Sequence, residues 1–191
     1  MDQELVLQIV GAVLGLLYLW LEYKANIWLW VVGAIMPMVH GVMFLNKGIY
    51  ADAAMQLYNI AAGIYGFFVW WLGSKRANKR VDIQHTPKRW IFPLVATYLV
   101  LHAALYYVLN RFTDSGVSFF DSMSTSLCIV AMFMLSRKFV EQWLVWLVVD
   151  MISVGLYLYK GIPITAMLYA LYCVLAIAGY MRWRKQVLIK S

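Results

Sequence analysis

Seven long apolar segments, separated by short polar connections, account for most of this 191-residue chain. Each has roughly the 20 residues that an α-helix needs to cross a hydrocarbon layer about 30 Å thick. Only 13% of the residues are charged, whereas about one-quarter are charged in soluble domains. The sequence therefore predicts an all-α integral membrane protein with seven transmembrane helices. The predicted spans are Leu5 to Leu21, Ile27 to Leu45, Ile49 to Leu72, Trp90 to Leu109, Val117 to Leu135, Gln142 to Tyr159 and Ile162 to Trp183.

The basic residues are distributed unevenly between the two sides of the predicted membrane protein. Of the 16 Lys and Arg residues, only Lys47, Arg111 and Lys160 fall on one side. All the others lie in connections on the opposite side or at the carboxyl terminus. Because cytoplasmic loops carry an excess of Lys and Arg, we expect the amino terminus outside and the carboxyl terminus in the cytoplasm. The same topology explains the net charge of +7, so we expect no nucleic-acid partner.

The chain matches itself at an offset of 113 residues. We therefore predict a parallel 3+1+3 arrangement, with residues 1–80 as a first three-helix repeat, 81–115 as a linking transmembrane helix and 116–191 as a second repeat. Transporters built from repeats commonly bind substrate between the repeats near the bilayer midplane. A duplication that only enlarges the helix bundle is the structural alternative. The matched positions are Trp30 with Trp143, Lys47-Gly48-Ile49 with Lys160-Gly161-Ile162, Ala53 with Ala166, Gly66 with Gly179, and Trp70 with Trp183.

Polar residues follow one face of the third predicted helix, where Asp52, Gln56 and Asn59 are spaced i, i+4, i+7. The offset of 113 places Tyr169 and Tyr172 at the positions of Gln56 and Asn59, and Thr165 at that of Asp52. Polar groups within a membrane need a partner or water. We expect the two stripes to line a substrate path, and hydrogen bonding between helices is the alternative.

The sixth predicted helix carries Trp143, Trp146 and Asp150 on one face. Indole rings and a carboxylate suit a flat aromatic ligand with a positive charge. We expect all three to bind substrate, although a tryptophan belt at the membrane interface is an alternative for Trp143. On the fifth helix Asp121, Thr125 and Cys128 share a face, and we include Thr125 in the predicted site. Asp121 is equally compatible with solvation at the outer boundary.

The other titratable residues within the spans carry no expected chemistry. Cys128 and Cys173 lie in apolar sequence, where cysteine usually packs as a small hydrophobic residue. His40 and His102 have no second ligand at metal spacing, so we expect no metal site. Glu22 lies where the first helix ends on the cytoplasmic side, and we expect it to be exposed.

The tryptophan and aspartate spacing of the sixth helix, the polar start of the third helix and the Lys-Gly pair before the seventh helix resemble the Pnu family of vitamin transporters. The resemblance implies a fold similar to the SWEET sugar transporters but built at full length, and a homotrimer in the bacterial inner membrane in which each protomer has its own path. It also implies facilitated diffusion, after which a cytoplasmic kinase phosphorylates and traps the vitamin, with no cofactor in the transporter. The motifs that carry the resemblance are Trp143-x-x-Trp146-x-x-x-Asp150, Tyr50-Ala51-Asp52 leading to Gln56, and Lys160-Gly161 before the seventh helix.

Two features bear on the substrate that the resemblance implies. Nicotinamide riboside carriers often have Asn at the position of Asp150, and they can carry an additional amino-terminal segment. The thiamine branch resembles this chain in its compact start and in the region from Leu21 to Trp30. We therefore favour thiamine slightly over nicotinamide riboside, as an unphosphorylated cation. A membrane enzyme built on Asp52 and Asp150, or a receptor, remains an alternative of another class.

Overall fold

The computed structural model describes residues 3–46, 50–76, 82–112, 117–159, 161 and 163–190. The predicted all-helical architecture is confirmed in this part of the chain, where seven helices follow one another. They are α1 (Gln3–Tyr23), α2 (Leu29–Asn46), α3 (Tyr50–Arg76), α4 (Lys88–Phe112), α5 (Ser118–Ser136), α6 (Gln142–Tyr159) and α7 (Pro163–Lys190).

Four helical segments within the described ranges are both long and apolar enough to cross a membrane. They are Lys88–Phe112, Ser118–Ser136, Gln142–Tyr159 and Thr165–Ile189. Val13–Tyr23 and Leu29–Val42 are apolar but shorter. These lengths and compositions agree with an integral membrane protein, while membrane crossing by α1, α2 and α3 stays a prediction.

The chain divides into two compact units, Met1–Asp82 and Ile83–Ser191. In the first unit α1 packs against α2, and α2 packs against α3. In the second unit α4 packs against α5, α5 against α6, and α6 against α7. The 3+1+3 arrangement and its boundaries at residues 80 and 115 stay predictions.

A tight turn ends α1 and leads into α2. Ala25 adopts a left-handed backbone conformation, with φ of 50°. The Asn26 N–H donates to the Leu21 carbonyl at 2.9 Å, and the Ala25 N–H donates to the Glu22 carbonyl at 2.8 Å. This pair of hydrogen bonds is the Schellman motif, which satisfies carbonyl groups that the end of a helix leaves free.

The turn from α5 to α6 has the same geometry. Lys138 has φ of 53°, the Phe139 N–H donates to the Met134 carbonyl at 3.0 Å, and the Lys138 N–H donates to the Leu135 carbonyl at 2.9 Å. Every residue in this turn lies 113 positions after its counterpart in the first turn. The two turns at this offset therefore share one backbone geometry.

The expectation for Glu22 is wrong, because its side chain is only 1% exposed. Glu22 lies just before the turn at which the chain reverses direction. The end of α1 consequently packs beside the start of α2, where Leu29 and Trp30 are also buried. The corresponding position in the second unit is Leu135, which is buried as well.

Candidate functional site

Two tryptophans and a glycine lock α2 against α3 in the first unit. Trp30 on α2 and Trp70 on α3 are both buried, and their rings meet edge to face with centroids 5.6 Å apart and planes at 85°. A Cβ atom added at Gly66 on α3 would collide with the six-membered ring of Trp30. Glycine at this position therefore makes room for the indole.

The same three residues recur in the second unit at the offset of 113. Trp143 on α6 and Trp183 on α7 are buried, with centroids 5.7 Å apart and planes at 90°. A Cβ atom added at Gly179 would lie 2.6 Å from Trp143 ring carbons. Trp143 was predicted to bind substrate, and its ring lies in the packing between α6 and α7. Its role in binding stays a prediction.

The α6 face that carries Trp146 and Asp150 includes buried polar groups. Asp150 is 7% exposed, and no described residue of this unit donates a hydrogen bond to its carboxylate. Trp146 is partly buried, and its Nε1–H has no acceptor among the described residues. A buried carboxylate and a buried N–H both lose hydration, so each needs a complementary group.

Tyrosines of α7 and a cysteine of α5 lie near this carboxylate. Tyr169, Tyr172 and Cys128 are close enough to Asp150 to interact with it electrostatically. The rings of Tyr169 and Tyr172 meet edge to face, with centroids 5.6 Å apart. The structure thus brings together four predicted site residues, Trp146, Asp150, Tyr169 and Tyr172, on the facing helices α6 and α7.

Two hydroxyl groups on α5 and α6 donate hydrogen bonds inside their own helices. Thr125 Oγ1–H donates to the Asp121 carbonyl at 2.8 Å, and Ser153 Oγ–H donates to the Val149 carbonyl at 2.9 Å. Each retains lone pairs that can accept a hydrogen bond, but its proton is already engaged. Thr125, a predicted site residue, could therefore contact a ligand mainly as an acceptor.

The first-unit stripe is only partly visible. Gln56 and Asn59 are partly buried on α3, and the Asn59 Nδ2–H donates to Gln56 Oε1 at 3.5 Å. This long hydrogen bond leaves most of the donor and acceptor capacity of both amides open to other groups. Asp52 belongs to α3, but its side chain lies outside the described part of the structure.

Sequence reasoning missed three residues of the cluster, Tyr157, Cys128 and Cys173. The two cysteines both interact electrostatically with Asp150. Tyr157 on α6 stacks on Tyr169 with centroids 5.3 Å apart. Its signal was present, because Tyr157 continues the spacing of Trp146 and Asp150 by a further seven residues on the same face. Cys128 was expected only to pack, and its proximity to Asp150 depends on how α5 docks against α6, which the sequence alone does not determine.

Glu141 forms a separate polar cluster in the turn before α6. Its carboxylate lies 2.6 Å from His85 Nδ1 and accepts hydrogen bonds of 2.7 Å from both the N–H and the hydroxyl of Thr86. Burial opposes ionisation of Glu141, but the hydrogen bonds from Thr86 and His85 prevail and hold its pKa below the ordinary value. This cluster fastens the segment before α4 to the α5–α6 turn.

His102 on α4 packs against a neighbouring tyrosine and a serine hydroxyl. Its ring stacks on Tyr98 with centroids 5.7 Å apart, and its Nδ1 lies 3.1 Å from the Ser122 hydroxyl. Among the described residues, no group of three His, Cys, Asp or Glu side chains could hold a metal ion.

Comparison with known proteins identifies the family. The family model described as "Nicotinamide mononucleotide transporter" matches residues 5–185. The chain belongs to this family. As a member of the Pnu family, it is a membrane transporter rather than an enzyme, and Pnu transporters are inner-membrane proteins.

Two curated relatives of this Pnu transporter carry different substrate names. The nicotinamide riboside transporter PnuC of Escherichia coli strain K12 is 25% identical, over 93% of this chain and 84% of the relative. The riboflavin/roseoflavin transporter RibM of Streptomyces davaonensis is 26% identical, over 95% of this chain and 86% of the relative. The family thus includes members named for different vitamins.

A solved structure shares the fold of this Pnu transporter. The crystal structure of the vitamin B3 transporter PnuC superimposes with a TM-score of 0.72. The alignment covers 95% of this chain and 82% of the other, at 22% sequence identity.

Proposed function

We propose that this chain carries a small, unphosphorylated, cationic vitamin across the inner membrane, and that thiamine is its substrate ahead of nicotinamide riboside. The observation that carries the proposal is the buried Asp150 carboxylate, which receives no hydrogen bond from the described residues of its own unit. A substrate that brings both a positive charge and N–H donors would complement this group.

The chemistry of Asp150 favours thiamine. An ionised carboxylate only accepts hydrogen bonds, so it suits the exocyclic amine of the aminopyrimidine ring, which donates two. The carboxamide of nicotinamide riboside presents a donor and an acceptor, and an amide side chain such as Asn complements both. Trp146, one turn before Asp150, would supply the aromatic surface for a flat ring and could offset part of the charge.

Nicotinamide riboside is the second candidate, because it is also a cation and several curated relatives are named for it. Riboflavin, for which RibM is named, carries no positive charge to offset a buried carboxylate. A phosphorylated vitamin would be repelled by Asp150. These differences allow a single binding experiment to separate the candidates.

The binding experiment uses purified protein and isothermal titration with thiamine, nicotinamide riboside and riboflavin. Asp150→Asn should weaken thiamine binding by about 10-fold or more, because a hydrogen bond to a charged group contributes about 1.5–3 kcal/mol. The same variant should bind nicotinamide riboside relatively better. Met151→Ala, at a 53% exposed position next to Asp150, is the matched control. Unchanged thiamine affinity in both Asp150→Asn and Trp146→Ala would contradict the site.

Transport by facilitated diffusion, with trapping by a cytoplasmic kinase, completes the proposal. In proteoliposomes the vitamin should equilibrate without accumulating, whether or not a proton or sodium gradient is imposed. Accumulation should appear only when a kinase and ATP are enclosed with it. Uphill uptake driven by a gradient alone would contradict this mechanism.

The proposed assembly is a homotrimer with one path in each protomer, the two three-helix repeats lying parallel on either side of a linking helix. The amino terminus is proposed to lie outside and the carboxyl terminus in the cytoplasm. Mass photometry of the detergent-solubilised protein should give three chains per particle. A monomer or dimer would contradict the trimer without affecting the substrate proposal.

A further inference from the structure

A pair of stacked tyrosines lies at one end of the polar α6 face. Trp146, Asp150 and Tyr157 share this face at spacings of four and seven residues. Seven residues of α-helix place Tyr157 about 10 Å from Asp150 along the axis. Tyr157 is near the end of α6 that leads to α7, whereas the α5–α6 turn lies at the opposite end.

The two rings bridge neighbouring helices. Tyr157 on α6 and Tyr169 on α7 have centroids 5.3 Å apart and planes only 14° from parallel. Tyr172 meets Tyr169 from the other side, edge to face. Tyr159, two residues after Tyr157, is 78% exposed, which shows that the stack is confined to one face of α6.

This pair is specific to the second repeat. The offset of 113 places Phe44 and Gln56 at the positions of Tyr157 and Tyr169 in the first repeat. The tyrosine stack is therefore not a packing feature common to both repeats. Tyr169 also lies close enough to Asp150 to interact with its carboxylate, so the stack borders the cluster on which the proposed function rests.

We propose that Tyr157 and Tyr169 form a gate at the end of the substrate path remote from the α5–α6 turn. Two aromatic rings held by stacking and one hydrogen bond between their hydroxyl groups can part without breaking the packing of α6 on α7, which Trp143 and Trp183 maintain at the other end. The parted rings admit the vitamin to Asp150. Their separation then limits the size of the molecule that enters, which makes Tyr157 a specificity-determining residue. This inference rests on the proposed function, since it places the gate relative to that substrate site.

Thiol labelling tests the gate without any vitamin. Cys128 is close enough to Asp150 to interact with it electrostatically, so its labelling rate reports access to the cluster. The experiment uses the full-length chain with Cys173→Ser in proteoliposomes, and adds two methanethiosulfonate reagents of different size. Tyr157→Ala should speed labelling of Cys128 by about 2- to 10-fold, the range that corresponds to loss of one aromatic pair. The larger reagent should gain more than the smaller.

Matched variants decide the outcome. Tyr159→Ala, on the exposed side of the same turn, should label at the unmodified rate. Tyr157→Phe loses the hydroxyl hydrogen bond to Tyr169 but keeps the stack, so it should label more slowly than Tyr157→Ala. Tyr157→Leu replaces Tyr157→Ala if that variant does not fold. Equal labelling rates in Tyr157→Ala and Tyr159→Ala would overturn the gate, as would a Tyr157→Phe variant that labels as fast as Tyr157→Ala.

Uptake of vitamins separates the gate from the proposed function. Tyr157→Ala should increase the rate of riboflavin uptake relative to thiamine uptake by at least about 2-fold. If the unmodified protein binds neither thiamine nor nicotinamide riboside, the proposed function fails, and the labelling result still decides the gate. If binding is normal and neither labelling nor the uptake ratio changes, the gate alone fails.

Discussion

Replacing Gly179 by Ala tests whether the tryptophan packing between α6 and α7 is as tight as the structure indicates. The added Cβ would lie 2.6 Å from two ring carbons of Trp143 and 2.7 Å from a third. Ordinary carbon–carbon contacts are about 3.5–4.0 Å, so the ring has to move by nearly 1 Å. Trp143 is 1% exposed and its ring also contacts Trp183, which leaves little space for that movement.

The magnitude follows from two opposing effects. Alanine in place of glycine inside a helix stabilises it by about 1 kcal/mol, and this gain should appear in full at Gly155, where an added Cβ meets nothing within 4 Å. At Gly179 the collision should cost about 1–3 kcal/mol. The two variants should therefore differ by about 1–3 kcal/mol in the free energy of unfolding. For a chain of this length each kcal/mol corresponds to about 2–4 °C in Tm.

Thermal unfolding in detergent, followed by far-ultraviolet circular dichroism, measures this difference. Gly66→Ala should lower stability as Gly179→Ala does, because the added Cβ would collide with the ring of Trp30, the equivalent of Trp143 in the first unit. Adding Trp143→Leu should remove most of the penalty of Gly179→Ala. The double variant should therefore lose less free energy of unfolding than the two single variants lose together. A Gly179→Ala variant as stable as Gly155→Ala would refute the packing argument.

Two further changes have effects of known sign. Ala25→Gly should raise the free energy of unfolding by about 1 kcal/mol, because glycine adopts the left-handed conformation of Ala25 without the steric cost. Ala104→Gly, in the interior of α4, should lower the free energy of unfolding in the same thermal assay. The opposite order of stability would contradict the assigned turn. Glu141→Gln should lower stability at neutral pH by about 1 kcal/mol. The folded-state pKa of Glu141 lies below 4.5, so its contribution is present above that pH and is lost as pH falls through the folded pKa. A stability difference that does not shrink below pH 4.5 would contradict the role of the carboxylate.

Hydropathy was sufficient to predict the seven helices, because each must satisfy its own backbone hydrogen bonds in an apolar medium. Helix ends were harder to place. The turns at Ala25 and Lys138 use left-handed residues that are not glycine, so the usual sequence signal for the end of a helix is missing. The offset of 113 was a better guide, since it predicts that whatever ends α1 also ends α5.

Site residues that share one helix face were predictable from the sequence. Contacts between residues of two helices were not. The spacing of Trp146 and Asp150 places them on one face of α6 whatever surrounds that helix. By contrast, the approach of Cys128 to Asp150 and the stacking of Tyr157 on Tyr169 depend on the docking of α5 and α7. Burial of Glu22 likewise depends on the reversal of the chain at the first turn.

The positions shared by the two repeats and the positions that differ have separate roles. The residues kept at both positions, Trp30 with Trp143 and Gly66 with Gly179, pack neighbouring helices and have the same geometry in each unit. Packing positions can stay identical because each unit must hold its own helices together.

Two of the proposed substrate residues, Trp146 and Asp150, differ between the repeats. Counting back 113 positions, Trp146 corresponds to Gly33 and Asp150 to Pro37. In the first unit the ring of Tyr18 on α1 lies against Gly33, so the aromatic group comes from the other helix of the pair. The two units therefore share their helix-packing residues and differ at the positions of Trp146 and Asp150, where the proposed function places the substrate.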